Sequence, residues 1–480
     1  MLFNSIEFLI FFPIVTFLYF VLPHKMRWFL LLAASCGFYM AFIPIYILIL
    51  FFTIIIDYAA GIIIENAEGR RRKMWLVISI VSNVGVLAFF KYFNFLNTNL
   101  TDLAQFLHWN YPVKNLGILL PIGLSFHTFQ AMSYTIEVYR GNQKPERHLG
   151  IYALYVMFYP QLVAGPIERP QNLIHQFREK HVFDYTRVTD GLKLMLWGFF
   201  KKIVIADRLA ELVNQVYDHS HQYHGVQLII ATYFFAFQIY CDFSGYSDIA
   251  IGAAQVMGFK LMDNFNRPYF SKNIAEFWKR WHISLSTWFK DYLYIPLGGN
   301  RVGKSRWYFN LFIVFLISGL WHGANWTFIV WGGLHGFYLV SSIWTEKLRH
   351  SVVRSLGLDR HPTLMKYTRA FITFHLVVFA WIFFRASSIR EAMYVVTHLF
   401  SGLSFAGMLN GLGLDAFQFA FAICSILFME VIHLMQRHRK MRHFFSEKPW
   451  WFRWAVYYAL VMAILFFGKT GQQQFIYFQF

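Results

Sequence analysis

The chain has 480 residues, of which 57% are hydrophobic, 21% aromatic and 14% charged, with 43 Lys plus Arg against 25 Asp plus Glu for a formal net charge of +18. Soluble globular proteins carry about 25% charged residues, and a soluble chain of this length would have too few charges to cover its surface. The composition excludes a soluble enzyme, a disordered chain and a collagen-like fibre. It predicts an all-α polytopic membrane protein, whose basic excess reflects cytoplasmic loops and not nucleic acid.

A helical crossing takes about 20 mostly apolar residues. The first run, roughly 5–22, reads as a retained span and not a cleaved signal peptide, because no basic region precedes it and no small-residue cleavage site follows. Further runs lie near 28–43, 45–64, 75–93, 117–137 and 191–209, then within 226–257, and near 307–320, 326–345, 369–385, 417–435 and 451–468. They give about twelve transmembrane or re-entrant helices. Pro44 marks a break between the second and third, and 151–165 is apolar but short, which suits a re-entrant segment. Basic loops after the first, third and fifth runs, and again at 346–369 and 436–453, alternate with loops poor in Lys and Arg at 94–115 and 386–416. The positive-inside rule then places both termini outside and the Arg70–Lys73 loop in the cytoplasm. Residues 258–306 break the pattern. They mix Phe277, Trp278, Trp281, Trp288, Phe289, Tyr292 and Tyr294 with Lys272, Lys279, Arg280, Lys290, Arg301, Lys304 and Arg306 among other basic residues, the composition the headgroup interface selects, and read as a cytoplasmic-side amphipathic platform. No linker or repeat divides the chain, so 1–480 reads as a single integral domain. Cys36, Cys241 and Cys424 are too few and too scattered for a disulfide scaffold.

Ionisable groups are costly inside a membrane, so each one in an apolar run is a functional candidate: Asp57, His127, Asp242, Asp248, His322, His335 and His375, with Asn83, Gln130 and Gln238 as neutral companions. His322 leads. It sits in Gly319-Leu320-Trp321-His322-Gly323-Ala324-Asn325-Trp326, where the glycines allow close backbone approach or a helix break, and Trp321 and Trp326 are placed to wall a cavity. An imidazole there can shuttle a proton; an interhelical packing hydrogen bond is the competing reading. His282, in Trp278-Lys279-Arg280-Trp281-His282-Ile283-Ser284, is either a second catalytic group or amphipathic cover. The run Tyr240-Cys241-Asp242-Phe243-Ser244-Gly245-Tyr246-Ser247-Asp248 is either a polar tunnel wall or a helix–helix contact. Neither a phosphate-cradling loop nor a nucleophile elbow is present. His219, His221 and His224 cluster in a polar loop with thin carboxylate or thiol company, so a solvated loop is the favoured reading over a metal site and no metal is expected.

The stretches Asn264-Phe265-Asn266-Arg267-Pro268-Tyr269, Phe277 to Trp288 and Asp291 to Arg301 resemble the membrane-bound O-acyltransferase family, and Leu320-Trp321-His322-Gly323-Ala324 resembles the segment holding its catalytic histidine. The Asp242–Asp248 run and Ala164-Gly165-Pro166-Ile167 match as well, so the resemblance covers essentially the whole chain. The Tyr-Ile-Pro-Leu-Gly-Gly-Asn-Arg ending at Arg301 is similar to the bacterial alginate O-acetylation branch; the branch exporting D-alanine to teichoic acids has a similar Trp-His segment with a different continuation. The resemblance implies an O-acyltransferase fold and activity in the bacterial inner membrane. His322 is then the catalytic histidine and His282 its companion. A donor-binding or tunnel role falls to Asp242, Ser244, Tyr246, Asp248, Arg280, Trp281, Arg301, Trp321 and Asn325. It also implies that no cofactor is bound, that acetyl-CoA is the acyl donor, and that an extracytoplasmic hydrolase-like acetyltransferase passes the acetyl group to a polysaccharide such as alginate, peptidoglycan or cellulose. In that mechanism His322 acts as general base, with His282 or Asn325 steadying the oxyanion; an acetyl-histidine is the alternative. A flippase, or a structural part of an export machine, would use the same polar residues without chemistry.

Overall fold

The structure is a computed structural model that describes residues 1–117, 120–405, 407–437, 441–469 and 475–476. The apolar runs are largely helical as expected, but the run expected at 117–137 becomes helical only from Leu124. The long elements are α1 (Ile6–Val21), α2 (His24–Met40), α3 (Ile47–Asn66), α4 (Gly69–Leu87), α5 (Phe93–Phe106), α6 (Leu124–Arg140), α7 (Leu149–Met157), α8 (Tyr185–Phe199), α9 (Asp207–Asp218), α10 (Val226–Met257), α11 (Lys304–His322), α12 (Trp326–Trp344), α13 (Pro362–Arg385), α14 (Ile389–His398), α15 (Ala416–Met435) and α16 (Trp450–Phe467). No strand occurs among the described residues. Six helical segments are long and apolar enough to cross a membrane: Pro44–Asn66, Gly69–Phe106, α10, α13, α15 and α16, with α1 a shorter apolar helix. Their outward faces are greasy. α1 buries Phe8, Phe12, Val15 and Tyr19 but exposes Leu9, Ile10, Ile14 and Phe17, and α16 buries no side chain at all. Apolar surface on this scale belongs against lipid.

The chain divides into two compact units, Met1–Gly198 with Tyr246–Met262, and Phe199–Gly245 with Asp263–Phe480. In the first, Asp57 of α3 is fully buried, and its carboxylate accepts from Ser79 Oγ (2.5 Å) and Asn83 Nδ2 (2.8 and 3.0 Å) of α4. The short run 151–165 is buried throughout, as α7 and the turn Tyr159–Leu162, with Gln130 of α6 donating to Tyr155 O. Gly191 of α8 and Gly252 of α10 meet so closely that a Cβ on either would lie within 2.8 Å of the other's carbonyl oxygen. This is the small-residue contact that lets membrane helices approach. Tyr246 and Asp248 belong to this unit, and Tyr246 stacks on Phe3 at 4.4 Å.

In the second unit α11 and α12 form a tight antiparallel hairpin. A Cβ on Gly319 would come 2.2 Å from Phe328 O, and one on Gly332 2.3 Å from Phe315 O. The helices separate only at Gly323–Asn325, where Asn325 caps α12 by accepting from Thr327 N at 3.0 Å. Residues 263–303 contain only short turns of helix, at Pro268–Phe270, Ile274–Trp278 and Ile283–Phe289, then a wider turn at Lys290–Tyr294.

Candidate active site

His322 ends α11 and is 3% exposed. The hairpin sets it against Trp331 of α12 (ring centroids 4.9 Å), and α13 adds Phe384 at 5.4 Å. The wall is therefore Trp321, Trp331 and Phe384. Trp326, expected beside the histidine, is 53% exposed, whereas Trp331, more than one turn further along α12, lies against His322. Behind Trp331 lie Trp381, nearly parallel at 5.8 Å, and His335, whose Nδ1 accepts from Trp278 Nε1 at 3.2 Å. Trp331, Trp381 and His335 are fully buried, and the Trp331 Nε1–H has no protein acceptor among the described residues. A buried donor without an acceptor is unfavourable by about 1–3 kcal/mol, so this one calls for a reason.

His282 is fully buried too, but held differently. Two segments cross beside it: the Asn266 N–H donates to Arg280 O and the Ile283 N–H to Asn264 O, both at 2.9 Å. Asn264 Oδ1 receives the Ser284 N–H (3.2 Å), the Ser284 hydroxyl (2.9 Å) and His282 Nδ1 (3.1 Å). A backbone N–H can only donate, so that atom is the amide oxygen, and His282 Nδ1 must carry the proton toward it. Burial pushes the His282 imidazole down to about 3. It is neutral at physiological pH, with its lone pair on Nε2. His282 and Arg267 both occupy the left-handed region, at φ 42° and 46°, a backbone strain of roughly 1–3 kcal/mol per residue. Trp321 bridges the two histidines, its ring 6.4 Å from His282 and 4.9 Å from His322. An apolar cavity of about 160 Å³ lies nearby, lined by Trp278, Phe289, Phe315 and Ser318, with Lys290 its one charged residue; Ser318 is one turn before His322.

The other expected residues are placed as follows. Trp281 is 1% exposed and packs on Tyr240, Phe265 and Trp381. Arg280 pairs with Glu276 at 2.7 Å, and Arg301 is exposed in a turn that Asn310 ties to α11 through Leu297 O and Gly299 O. The Asn325 amide is committed to Thr327 N and Ser387 O. Asp242 and Ser244 sit in an ion-pair network that the apolar reading of 191–209 missed. Lys202 bridges Asp242 (2.6 Å) and Asp207 (2.8 Å), Lys201 Nζ donates to Ser244 at 2.8 Å, and the Ile476 N–H donates to Asp242 Oδ2 at 2.8 Å. Phe475 and Ile476 are 1% and 2% exposed, and Phe475 lies 5.8 Å from Phe243, whose ring meets His282 at 4.6 Å. The Lys201-Lys202 pair inside an apolar run was the available signal. Of the loop histidines, His221 contacts Glu391 at 3.1 Å.

A family profile described as MBOAT, membrane-bound O-acyltransferase family, matches residues 78–389. The chain is 38% identical over 441 residues to the protein named "Probable alginate O-acetylase AlgI" of Pseudomonas aeruginosa, covering 91% of this chain and 82% of that one. It is 33% identical over 498 residues to the peptidoglycan O-acetyltransferase of Helicobacter pylori, covering 94% and 91%, and 30% identical over 282 residues to the teichoic acid D-alanyltransferase of Streptococcus thermophilus, covering 55% and 68%. This is a multi-pass membrane protein, and the chain belongs to the membrane-bound O-acyltransferase family.

Proposed function

We propose that this protein O-acetylates an extracytoplasmic polysaccharide, of the alginate, peptidoglycan or cellulose kind, with acetyl-CoA as cytoplasmic donor and a hydrolase-like acetyltransferase outside the inner membrane as partner. The reading takes 1–480 as one integral acyltransferase domain with about twelve crossing or re-entrant helices, both termini outside and residues 258–306 on the cytoplasmic side. The observation that carries it is the buried His322, walled by Trp331 and Phe384 and bridged to His282 by Trp321.

In this mechanism His322 is the general base. It takes the proton of an acceptor hydroxyl as the oxygen attacks the thioester carbonyl; the C–S bond breaks, the acetyl ester forms, and the proton passes to the departing thiolate. His282 is too weak a base near pH 7 to share that task. With its lone pair on Nε2 it accepts a hydrogen bond, which positions a donor N–H or O–H. The same lone pair would repel an oxyanion, so the oxyanion falls to the Trp331 indole N–H, which lacks a protein acceptor. Acetyl transfer by purified, folded His322→Gln protein tests the reading: glutamine keeps polar bulk but cannot take the proton, so activity should vanish. Near-normal transfer would return His322 to packing and favour a carrier without chemistry.

A further inference from the structure

The second unit holds an open cavity of about 550 Å³ with a polar wall. α9 contributes Glu211, Asn214, Gln215 and Asp218, and His219 follows directly. Gln418 enters from the first turn of α15, and Lys469 from just past the end of α16. Both carboxylates are paired: Glu211 with Lys469 at 2.9 Å, and Asp218 with Arg385 at 3.0 Å. The cavity therefore has little net charge to draw an ion. What it keeps is uncommitted hydrogen bonding. Asn214 spends its oxygen on Arg385 (2.8 Å) and Gln418 spends its oxygen on the Asp415 N–H (3.3 Å), so both amide nitrogens remain as donors. Gln215 donates to Tyr223 OH at 3.0 Å and keeps its oxygen as an acceptor. The His219 ring makes no hydrogen bond among the described residues. The cavity is also tied to the candidate active site. Arg385, held by Asn214 and Asp218 and placed over the Tyr217 ring at 5.5 Å, directly follows Phe384, whose ring packs on His322.

We propose that this cavity binds a hydroxyl-rich sugar chain, a stretch of the acceptor polymer; the proposal rests on the reading above that the acceptor is an extracytoplasmic polysaccharide and that the C-terminal side of α16 faces outward. A sugar hydroxyl both donates and accepts, and a wall that mixes amide N–H donors with amide and carboxylate acceptors meets it in either role. A few convergent polar groups are what fix a ligand in such a pocket. A peptide of a partner protein would be anchored by apolar side chains in apolar pockets, yet among the described lining residues only Gly413 lacks a polar side chain. An anion would need an unpaired cation, and Lys469 and Arg385 are both paired. The link through Arg385 keeps a bound chain in register with His322.

Binding is measured first, without donor. Native protein in detergent is presented in turn with cellotetraose, a mannuronate tetramer and an N-acetylglucosamine tetramer, and saturation-transfer NMR reads which of them binds. At least one should bind. His219→Ala and Gln418→Glu should each raise its Kd about fivefold, the contribution of one hydrogen bond. Gln418→Glu keeps the side-chain oxygen that accepts from Asp415 and removes the donor, whereas His219→Ala removes a ring that supports no other residue, so one variant stands in if the other does not fold. No binding by the native protein overturns the site, as does binding that both variants leave unchanged. Acetyl transfer to the same sugar gives a second readout: its KM should rise by the same factor while kcat holds. A fall in kcat with KM unchanged would mean that these residues only support the end of α13, and overturns the site. The two proposals fail separately. Sugar binding that the variants weaken, in a protein that transfers no acetyl group, leaves the site standing and sinks the proposed function. Polymer acetylation by a protein that binds none of the three sugars does the reverse.

Discussion

The two histidines are both buried and only one tryptophan apart, yet they are held by opposite means. His322 ends a regular helix whose position is set by glycine contacts with its hairpin partner. It is a side chain delivered by packing. His282 sits on strained backbone with its ring fixed by Asn264, a residue eighteen positions earlier. It is a side chain delivered by hydrogen bonds. A packed histidine tolerates the movement of a proton on and off its ring without breaking its support. A histidine whose tautomer is locked serves better as a fixed acceptor. The arrangement thus divides labour between a base and a positioning group, and each half can be attacked separately.

The largest effect should come from the packed half. His322→Gln should lose acetyl transfer by about 10²–10⁴-fold, the usual contribution of general base catalysis, in protein that still inserts, since an interhelical hydrogen bond in a membrane contributes only about 0.6–2 kcal/mol. Next comes Trp331→Phe, which keeps the ring and removes the N–H. If Trp331 holds the oxyanion, kcat falls about 10²-fold, while the melting temperature holds or rises, because an unsatisfied buried donor is gone. A purely structural Trp331 predicts the reverse pairing, with stability falling and kcat near normal. Gly319→Ala should act on both quantities: its Cβ meets backbone at Phe328 O, so the hairpin must spread, at a cost of about 1–3 kcal/mol by thermal unfolding, and His322 moves with it.

The locked half should answer in pH and not in rate. The folded pKa of His282, about 3, lies below its unfolded value of about 6.5. Between those values the unfolded chain binds the proton and the folded one does not. Stability is therefore complete above pH 6.5 and declines as pH falls toward 3. Melting temperature measured from pH 7 to 5 should drop less in His282→Gln than in the native protein. Asn264→Asp should flatten the slope as well, because a carboxylate on Nδ1 raises the imidazole pKa. Equal slopes in all three proteins would show that His282 does not control this window. The smallest change belongs to Trp326→Ala, which should leave transfer almost untouched given the exposure of that ring.

The same contrast explains how much the sequence disclosed. Helices follow local hydrophobicity, so each long apolar run was legible, and the glycines around His322 announced a close approach. What joins distant residues left no local trace. Nothing beside Asn264 signals His282, and Trp331 displaces Trp326 from the wall only once α12 has its helical phase. The ion pairs of Asp242 with Lys202, and of Lys202 with Asp207, were hidden because two lysines in an apolar run look like the edge of a span. The two compact units share α10, a single uninterrupted helix, so no linker composition could announce them.

The seating of Phe475 and Ile476 has a practical side. Ile476 donates its backbone N–H to Asp242, and Phe475 packs on the ring that touches His282. An affinity tag or fluorescent reporter fused downstream of Ile476 therefore pulls on two residues seated beside the candidate active site, and yields measured with such a fusion would select for protein in which the contacts of Phe475 and Ile476 are lost. The helix Glu346–Ser355, which buries no side chain, is where an epitope can be inserted without that bias.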